Sequence, residues 1–178
     1  MATRIVETSD SAQTEALGAE LAAALKPGDT VLVRGELGAG KTTLVRGAAK
    51  ALGVGDVVTS PTFSIAHRYQ GSAVNVSHVD LYRLAGLAQE EPDLLDDYLA
   101  PDTITFVEWP EETVPELRDA CLLVTLTHEG ADCRRIEVFE LGEERASDLP
   151  VGSVSGPTGQ ADDAPDDAQA NAVSEVTP

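Results

Sequence analysis

Basic residues are scarce in this sequence. Its 178 residues include 12 lysines and arginines against 31 aspartates and glutamates, so the formal net charge at pH 7 is −19. Proteins that bind nucleic acid through their own surface usually present a basic patch or stripe. We therefore do not expect a nucleic-acid-binding face on this chain. Any anionic ligand would have to be captured by local backbone dipoles and by a metal ion.

Cysteine is also rare. Cys121 and Cys133 are the only two, and neither belongs to a Cys-x-x-Cys motif or a Cys/His cluster. The sequence therefore suggests neither a zinc site nor a disulfide framework. We expect both to be buried or neutral thiols in a reducing cytoplasm.

Long apolar segments are absent as well. A membrane-spanning helix needs roughly 18 consecutive apolar residues, and no such run occurs, so no membrane association is expected. The N-terminus lacks a basic segment followed by an apolar stretch, so no signal peptide is expected. The hydrophobic fraction of 42% is ample for one core, and the length suggests one domain plus any tails.

The most informative stretch is residues 35–42, Gly-Glu-Leu-Gly-Ala-Gly-Lys-Thr, which fits the phosphate-binding loop G-x-x-x-x-G-K-S/T. Residues 30–34 before it form a short, β-branched apolar run that predicts a buried strand. Residues 42–52 after it predict a helix with Leu44, Ala48 and Leu52 on one face. Because the motif stands between a strand and a helix, an ordinary glycine-rich turn is the weaker alternative.

The residue types of this loop suit the binding of a nucleoside triphosphate. Glycines permit backbone angles that side chains forbid and let the chain approach an anion closely. Successive N–H groups can then point at the phosphates from the positive end of a helix dipole. Lys41 can reach the β- and γ-phosphates. The Thr42 hydroxyl can ligate Mg²⁺, which prefers hard oxygen donors.

The rest of the chain predicts an α/β protein of the P-loop NTPase type. Its mainly parallel central sheet would be flanked by helices and extended by antiparallel hairpins. Asp10 and its neighbouring serines can cap a first helix that runs to about Leu25. The predicted strands are an edge strand at 3–8, the strand at 30–34, a hairpin of 63–69 and 73–79, a buried strand at 102–107, and a last hairpin of 121–128 and 134–141. Shorter helical or turn regions are predicted at 87–99 and 111–119.

The composition changes near the carboxyl end. Residues 148–178 contain no aromatic, lysine or arginine residue and are dominated by Gly, Pro, Ser, Ala and Asp. This composition predicts a disordered acidic tail after a P-loop domain of residues 1–147. A solubilising extension with no specific role is favoured over an interaction tail.

Two carboxylates are candidates for the metal site. In α/β nucleotide sites, groups at the carboxyl ends of neighbouring strands converge on the ligand. Asp80 follows the strand at 73–79, and Glu108 follows the strand at 102–107. Either could touch Mg²⁺ directly or through water while the other orients water. One could also be only a polar cap at the end of a strand.

Further residues are weaker candidates. Thr62 could sense the γ-phosphate as a switch residue, or could be a turn residue. Trp109 is the only tryptophan and adjoins Glu108, which favours a site or interface role over a purely structural one. His78 alternates with valines, so a partly buried structural histidine is favoured over a catalytic base. Arg134 or Arg135 could place a cation near the nucleotide.

Four segments of the chain form a combined pattern. They are Gly-Glu-Leu-Gly-Ala-Gly-Lys-Thr-Thr (35–43), Ser-Pro-Thr-Phe (60–63), His-Val-Asp-Leu-Tyr-Arg-Leu (78–84) and Phe-Val-Glu-Trp-Pro-Glu (106–111). Together these segments resemble the TsaE family, formerly called YjeE. The resemblance covers roughly residues 3–141. The phosphate loop alone is generic, whereas the Asp-Leu-Tyr-Arg and Val-Glu-Trp-Pro segments in this order are specific. Glu36 stands where many members have Asp, a mild change outside the phosphate cradle.

The resemblance implies a cytoplasmic ATPase that uses ATP and Mg²⁺. TsaE proteins support formation of threonylcarbamoyladenosine (t6A37) in tRNAs that read codons starting with A. They act with TsaB and TsaD, where TsaD performs the transfer, and ATP hydrolysis resets the assembly. tRNA would be contacted only indirectly, through the complex, which agrees with the acidity of this chain. We expect weak activity alone and stimulation by the partners.

The resemblance also assigns roles to residues of this chain. It implies an ATP site formed by Ser11, Gly38, Ala39, Gly40, Lys41, Thr42 and Thr43, to which we add Arg134. It implies a metal site of Thr42 and Glu108, with Asp80 at or near the metal. Trp109 would be important for activity. The catalytic or switch group would consist of Asp80, Glu108, Thr62 and Trp109.

Two other functions are compatible with a phosphate loop. A small-molecule kinase usually needs a basic lid, but the region after Asp80 is acidic. A nucleotide-gated binding module would need no useful hydrolysis. Such a module would still support its partners after Glu108→Gln, so this substitution distinguishes it from an ATPase.

Overall fold

A computed structural model of the protein describes residues 3–61, 64–82, 95, 98–110, 117 and 119–141. Within them lie seven strands and two helices. In chain order they are β1 (Arg4–Thr8), α1 (Ser11–Ala22), β2 (Thr30–Gly35), α2 (Lys41–Ala51), β3 (Ala66–Tyr69), β4 (Asn75–Asp80), β5 (Thr103–Glu108), β6 (Leu122–His128) and β7 (Arg134–Glu140). No helix in these ranges is both long enough and apolar enough to cross a membrane.

All seven strands belong to one sheet with the order β1-β7-β6-β2-β5-β4-β3. The central strands β6, β2, β5 and β4 run parallel to one another. β3 pairs with β4, β7 with β6, and β1 with β7, all antiparallel. The predicted fold class is therefore confirmed: a parallel centre is extended by antiparallel hairpins, and β1 is an edge strand.

The central strands are buried on both faces, as strands of parallel sheets usually are. Along β2, Val31 and Val33 belong to one hydrophobic core, whereas Leu32 belongs to another. Successive side chains of a strand point to opposite faces, so the two cores lie on opposite sides of the sheet. The first core includes Leu17 of α1 and Leu44 of α2, which places both helices on the same side.

The two helices pack closely through glycines. A Cβ atom added to Gly47 would lie 1.9 Å from the carbonyl oxygen of Glu15, and one added to Gly18 would lie 2.1 Å from that of Leu44. The absence of a side chain at both positions therefore sets how closely α1 approaches α2. This approach matters for the site because α2 begins at Lys41, within the phosphate-loop motif.

The first helix is capped as its sequence predicts but is shorter. The Asp10 side chain accepts a hydrogen bond from the Gln13 backbone N–H at 2.8 Å, and the Gln13 side chain accepts one from the Ser9 N–H at 2.9 Å. Asp10 is therefore the N-cap of α1, and the Gln13 side chain satisfies the N–H of the residue before it. The helix ends at Ala22 rather than near Leu25, and turns follow.

The hairpin of β3 and β4 departs from its predicted pattern. β3 begins at Ala66 instead of residue 63, and Ile65 before it has a positive φ of 68°. β4 does not alternate between buried and exposed residues, because five of its six residues are buried. β4 pairs with strands on both sides, so neither of its edges is free.

Several predicted features lie wholly or largely outside the described residues. They are Thr62, most of the regions at 87–99 and 111–119, and the tail at 148–178.

The two cysteines differ in environment, and this difference predicts different reactivity. Cys133 is exposed, whereas Cys121 is partly buried and its Sγ donates to the Thr30 carbonyl oxygen at 3.4 Å. Burial raises the pKa of the Cys121 thiol to about 11. Because the thiolate is the reactive form, iodoacetamide at pH 8 should alkylate Cys133 well before Cys121, as followed by mass spectrometry of peptides.

The pH dependence supplies a second check on the thiols. Labelling of Cys121 should accelerate as the pH rises toward 11, and this should persist in a Cys133→Ser variant. The pKa of Cys121 is higher in the folded protein than in the unfolded chain. The contribution of its neutral thiol to the free energy of unfolding is therefore complete below pH 9 and declines as the pH rises from 9 toward 11. Equal labelling of the two cysteines at pH 8 in the folded protein would contradict the environment described.

Candidate functional site

The candidate site lies at the carboxyl ends of three parallel strands. Asp80 at the end of β4 stands opposite Glu108 at the end of β5, and Glu108 stands opposite Val33 of β2. The phosphate-loop segment follows β2 at the same edge of the sheet. A cavity of about 350 Å³ opens there, lined by Leu37, Gly38, Gly40, Lys41, Thr42, Thr43, Ser60, Asp80, Tyr82, Glu108 and Trp109. Ligands of open α/β sheets usually bind at this edge.

The loop between β2 and α2 depends on its glycines. Gly40 precedes α2 in a left-handed conformation, with φ 100°, and provides no side-chain cap. Gly35 has φ 146°, and a Cβ atom there would lie 2.4 Å from the Leu126 carbonyl oxygen. The first N–H groups of a helix have no partner within the helix. The cavity at this helix start therefore suits an anion such as a phosphate.

Lys41 is buried at the base of the loop. Its Nζ donates hydrogen bonds to the carbonyl oxygens of Gly35 at 2.9 Å and Glu36 at 3.0 Å. It also lies 3.9 Å from the centre of the Trp109 ring, within the range of a cation–π contact. Burial lowers the pKa of Lys41, and the charges of Glu108 and Asp80 oppose that shift.

Glu108 is the centre of a three-residue hydrogen-bond network. Its Oε1 atom accepts a hydrogen bond from the Thr42 hydroxyl at 2.7 Å. The same oxygen is hydrogen-bonded to Nε2 of His78 at 2.8 Å. Only 3% of the Glu108 surface is exposed, and His78 is fully buried. The network joins the first turn of α2 to the ends of β4 and β5.

The role of His78 is the main element that sequence reasoning missed. The pattern of neighbouring valines predicted a partly buried structural residue, whereas the ring contacts a candidate metal ligand. The strand period carried only part of the signal, and the register of the strands supplied the rest. His78 and Asp80 are two residues apart and therefore share a face of β4. Asp80 is in register with Glu108, so the three side chains face the same side.

Asp80 contacts a different set of groups. Its Oδ2 atom accepts a hydrogen bond from the Ser60 hydroxyl at 3.0 Å, and its Oδ1 atom accepts one from the Tyr82 backbone N–H at 3.0 Å. Ser60 precedes Pro61 in the segment that leads to Thr62. Asp80 thus links the segment before Thr62 to the cavity, whereas Glu108 links the cavity to Thr42.

Trp109 has an uncommon backbone conformation. Its φ is 55°, in the left-handed region that bulky residues rarely adopt. Its N–H donates to the Val33 carbonyl oxygen at 3.2 Å. The indole contacts the Tyr82 ring, with 4.9 Å between centroids, as well as Lys41. Strained residues of this kind concentrate at functional sites, which agrees with the predicted importance of Trp109.

Three predicted nucleotide ligands do not line the cavity. Ser11 is an exposed residue at the start of α1, and Ala39 is buried. Arg134 contacts the outside of the loop, where its Nε donates to the Ala39 carbonyl oxygen at 3.0 Å and its Nη2 to that of Gly38 at 3.4 Å. The other predicted residues of the loop, both carboxylates and Trp109 do line the cavity.

The donor set fits Mg²⁺ only together with phosphate. Within the ranges that the structure describes, no group of three or more His, Cys, Asp and Glu side chains could hold a metal ion. The Thr42 hydroxyl and the carboxylates of Glu108 and Asp80 are hard oxygen donors. Mg²⁺ is usually bound by one or two carboxylates together with substrate phosphates and water. The residues present therefore suit a metal that arrives with a triphosphate.

The sheet, the glycine loop and the cavity at its carboxyl edge define a phosphate-loop protein of the α/β class. Comparison with known proteins agrees: residues 8–136 match the family model described as "Threonylcarbamoyl adenosine biosynthesis protein TsaE". The chain belongs to the TsaE family, which confirms the resemblance inferred from its motifs.

Individual relatives extend over most of the chain. A tRNA threonylcarbamoyladenosine biosynthesis protein TsaE of Streptomyces coelicolor is 44% identical over 137 residues, which are 74% of this chain and 93% of the relative. The protein of the same name from Bacillus subtilis is 37% identical over 139 residues, 76% of this chain and 84% of the relative. The crystal structure of Bacillus subtilis YdiB has a TM-score of 0.64 and 30% identity, covering 81% of this chain and 90% of YdiB.

Proposed function

We propose that this chain is a Mg²⁺-dependent ATPase that acts in the cytoplasm in the formation of tRNA threonylcarbamoyladenosine. Membership of the TsaE family supports the pathway. The observation that carries the ATPase proposal is the contact between Thr42, in the phosphate loop, and Glu108, at the end of a neighbouring strand. This pairing of a loop hydroxyl with a strand-end carboxylate is what a Mg²⁺–triphosphate site requires.

The phosphate loop, the two carboxylates and Arg134 have separate proposed tasks. The N–H groups of residues 38–43 and the Lys41 ammonium bind phosphate oxygens. Thr42 and Glu108 hold the metal, and Asp80 orients water or a metal-bound ligand. When bound, Mg²⁺ neutralises charge that develops on the phosphates. Arg134 acts from outside the cavity, because its hydrogen bonds to Gly38 and Ala39 carbonyls favour one shape of the loop.

Lys41 can contact a phosphate without leaving the loop. Two of its three ammonium N–H groups donate to the carbonyl oxygens of Gly35 and Glu36, and the ammonium group lies over the face of Trp109. A phosphate oxygen that accepted the third N–H would form a charge-assisted hydrogen bond, which is stronger than a neutral one. We expect Trp109 to hold the ammonium group in position for this contact.

We further propose that the chain acts with TsaB and TsaD, within a complex that modifies tRNAs reading codons that start with A. The net charge of −19 disfavours direct binding of this chain to tRNA, because the phosphate backbone is also negatively charged. Leu37 is 83% exposed at the mouth of the cavity, so a partner that covers this mouth could influence turnover. We expect slow hydrolysis by the chain alone and faster hydrolysis with both partners.

The pathway is tested by depleting this protein in its own cell and measuring tRNA nucleosides by mass spectrometry. Threonylcarbamoyladenosine should fall and should return when the wild-type chain is restored. Glu108→Gln should fail to restore it, whereas Glu129→Gln, the same change at an exposed turn, should succeed. An unchanged nucleoside after depletion would reject the function.

The same experiment separates the ATPase from a nucleotide-gated binding module. If Glu108→Gln binds ATP normally, no longer hydrolyses it and still restores the modified nucleoside, hydrolysis is unnecessary and the binding module is correct. If it binds ATP but leaves the nucleoside depleted, the ATPase proposal is supported.

A further inference from the structure

We propose that His78 is a positioning residue that orients Glu108 and, through it, the Thr42 hydroxyl for a Mg²⁺–nucleotide. This inference rests on the proposed function. It starts from one contact, the 2.8 Å hydrogen bond between His78 Nε2 and Glu108 Oε1, made by a ring with no exposed surface. A histidine buried so deeply touches no substrate, so its influence on the site passes through Glu108.

The hydrogen-bond partners assign the tautomer of the ring. Glu108 Oε1 already accepts the Thr42 hydroxyl proton, and an ionised carboxylate has no proton to donate. The hydrogen between the two groups must therefore sit on Nε2. Nδ1 has no hydrogen-bond partner among the described residues. A neutral ring with its proton on Nε2 leaves only an unpaired acceptor at Nδ1. A proton on Nδ1 would instead leave a buried N–H donor without a hydrogen-bond partner.

The same contacts determine the direction of the Thr42 hydroxyl. Its proton points at Glu108, so the lone pairs of its oxygen are left for a cation. His78 fixes the acceptor that holds this proton. It also joins β4 to β5 beside the pair of carboxylates formed by Asp80 and Glu108. Without the ring N–H, Glu108 would be held through Oε1 by Thr42 alone, and both ligands could turn away from the productive arrangement.

This role predicts an effect that depends on the metal. Groups that hydrogen-bond to metal ligands typically change metal affinity or activity by about 10–100-fold when they are replaced. His78→Leu, which keeps apolar volume but removes the donor, should weaken binding of a non-hydrolysable ATP analogue in Mg²⁺ by about tenfold. Binding in EDTA should change little, because the loop and Lys41 do not depend on the ring. His78→Gln, which can return an N–H to Glu108, should recover most of the loss.

Calorimetric titrations of the full chain in Mg²⁺ and in EDTA measure these affinities. A merely structural role for His78 would lower both affinities together or lower only the melting temperature, and either result would overturn the proposal. An unchanged affinity in Mg²⁺ for the folded His78→Leu variant would overturn it as well. If the wild type itself shows no gain in affinity from Mg²⁺, the proposed function fails together with this inference.

A measurement on the wild-type chain needs no substitution at a buried position. Long-range ¹⁵N–¹H NMR of the histidine rings reports which nitrogen carries the proton. We expect Nε2 of His78 to carry a proton, with signals that shift when Mg²⁺ and the ATP analogue are added together but not when the analogue is added in EDTA. An Nε2 atom without a proton, or signals that do not respond to Mg²⁺ while the complex forms, would overturn the positioning role.

Discussion

Replacing Glu108 by glutamine should lower the rate of ATP hydrolysis by about 100-fold, because charge stabilisation by a bound metal contributes several kcal/mol to a transition state. Glutamine preserves the volume of the side chain but removes its negative charge. Its amide group would also place a donor or a neutral oxygen where one carboxylate oxygen now accepts from both Thr42 and His78. The rate should be measured with TsaB and TsaD present, where activity is expected to be highest.

The loss should be specific to the step that needs the metal. Nucleotide binding in EDTA should stay within a few-fold of wild type, because the phosphate loop and Lys41 are unaltered. Glu129→Gln, at an exposed turn, is the matched control and should hydrolyse ATP at the wild-type rate. Undiminished hydrolysis by the Glu108→Gln variant would remove Glu108 from the metal site and leave Asp80 as the candidate carboxylate.

Replacing Gly47 by alanine should destabilise the fold by about 1–3 kcal/mol, the usual cost of overpacking. In an unconstrained helix the same change would stabilise by up to about 1 kcal/mol. Here the new methyl group would lie 1.9 Å from the Glu15 carbonyl oxygen and 2.5 Å from its carbonyl carbon. These are backbone atoms, so α1 and α2 would have to separate. Urea unfolding followed by circular dichroism measures the loss.

The separation of the helices should also weaken the binding of nucleotide. α2 carries Lys41 and Thr42 in its first turn, so a displaced helix changes the position of both relative to Glu108. Gly55→Ala is the control, because a Cβ atom at Gly55 meets nothing within 4 Å. A Gly47→Ala variant as stable as the Gly55→Ala variant would show that the two helices are not in the close contact described.

Features encoded by neighbouring residues could be predicted without coordinates. The phosphate loop, the apolar runs of β2 and β5, the cap of α1 and the hairpin of β6 and β7 all depend on local spacing. The predicted boundaries of these strands agree with the structure within one residue. The placement of Asp80 and Glu108 at one edge was also predictable, because both follow apolar runs and parallel strands end at the same side.

Features that depend on strand order and register were not accessible from the sequence. Thr42 and Glu108 are 66 residues apart, and Arg134 and Ala39 are 95 apart. Whether such residues meet is decided by which strand lies beside which, and many arrangements share the same local pattern. β3 begins three residues later than predicted. Five of the six residues of β4 are buried, because the neighbours of a strand determine its exposure as much as its own periodicity does.

The sequence by itself therefore predicted a class of ligand and the residue types proposed to bind it, since a phosphate loop works through local backbone geometry. It also determined the family, through short segments in a specific order. Only the tertiary structure decided which residues are in contact. Lys41 contacts Gly35, Glu36 and Trp109. Arg134 donates hydrogen bonds to the loop from outside the cavity, and His78 is hydrogen-bonded to Glu108. These contacts join residues far apart in the chain, and their distances exist only once the sheet has set the register of its strands.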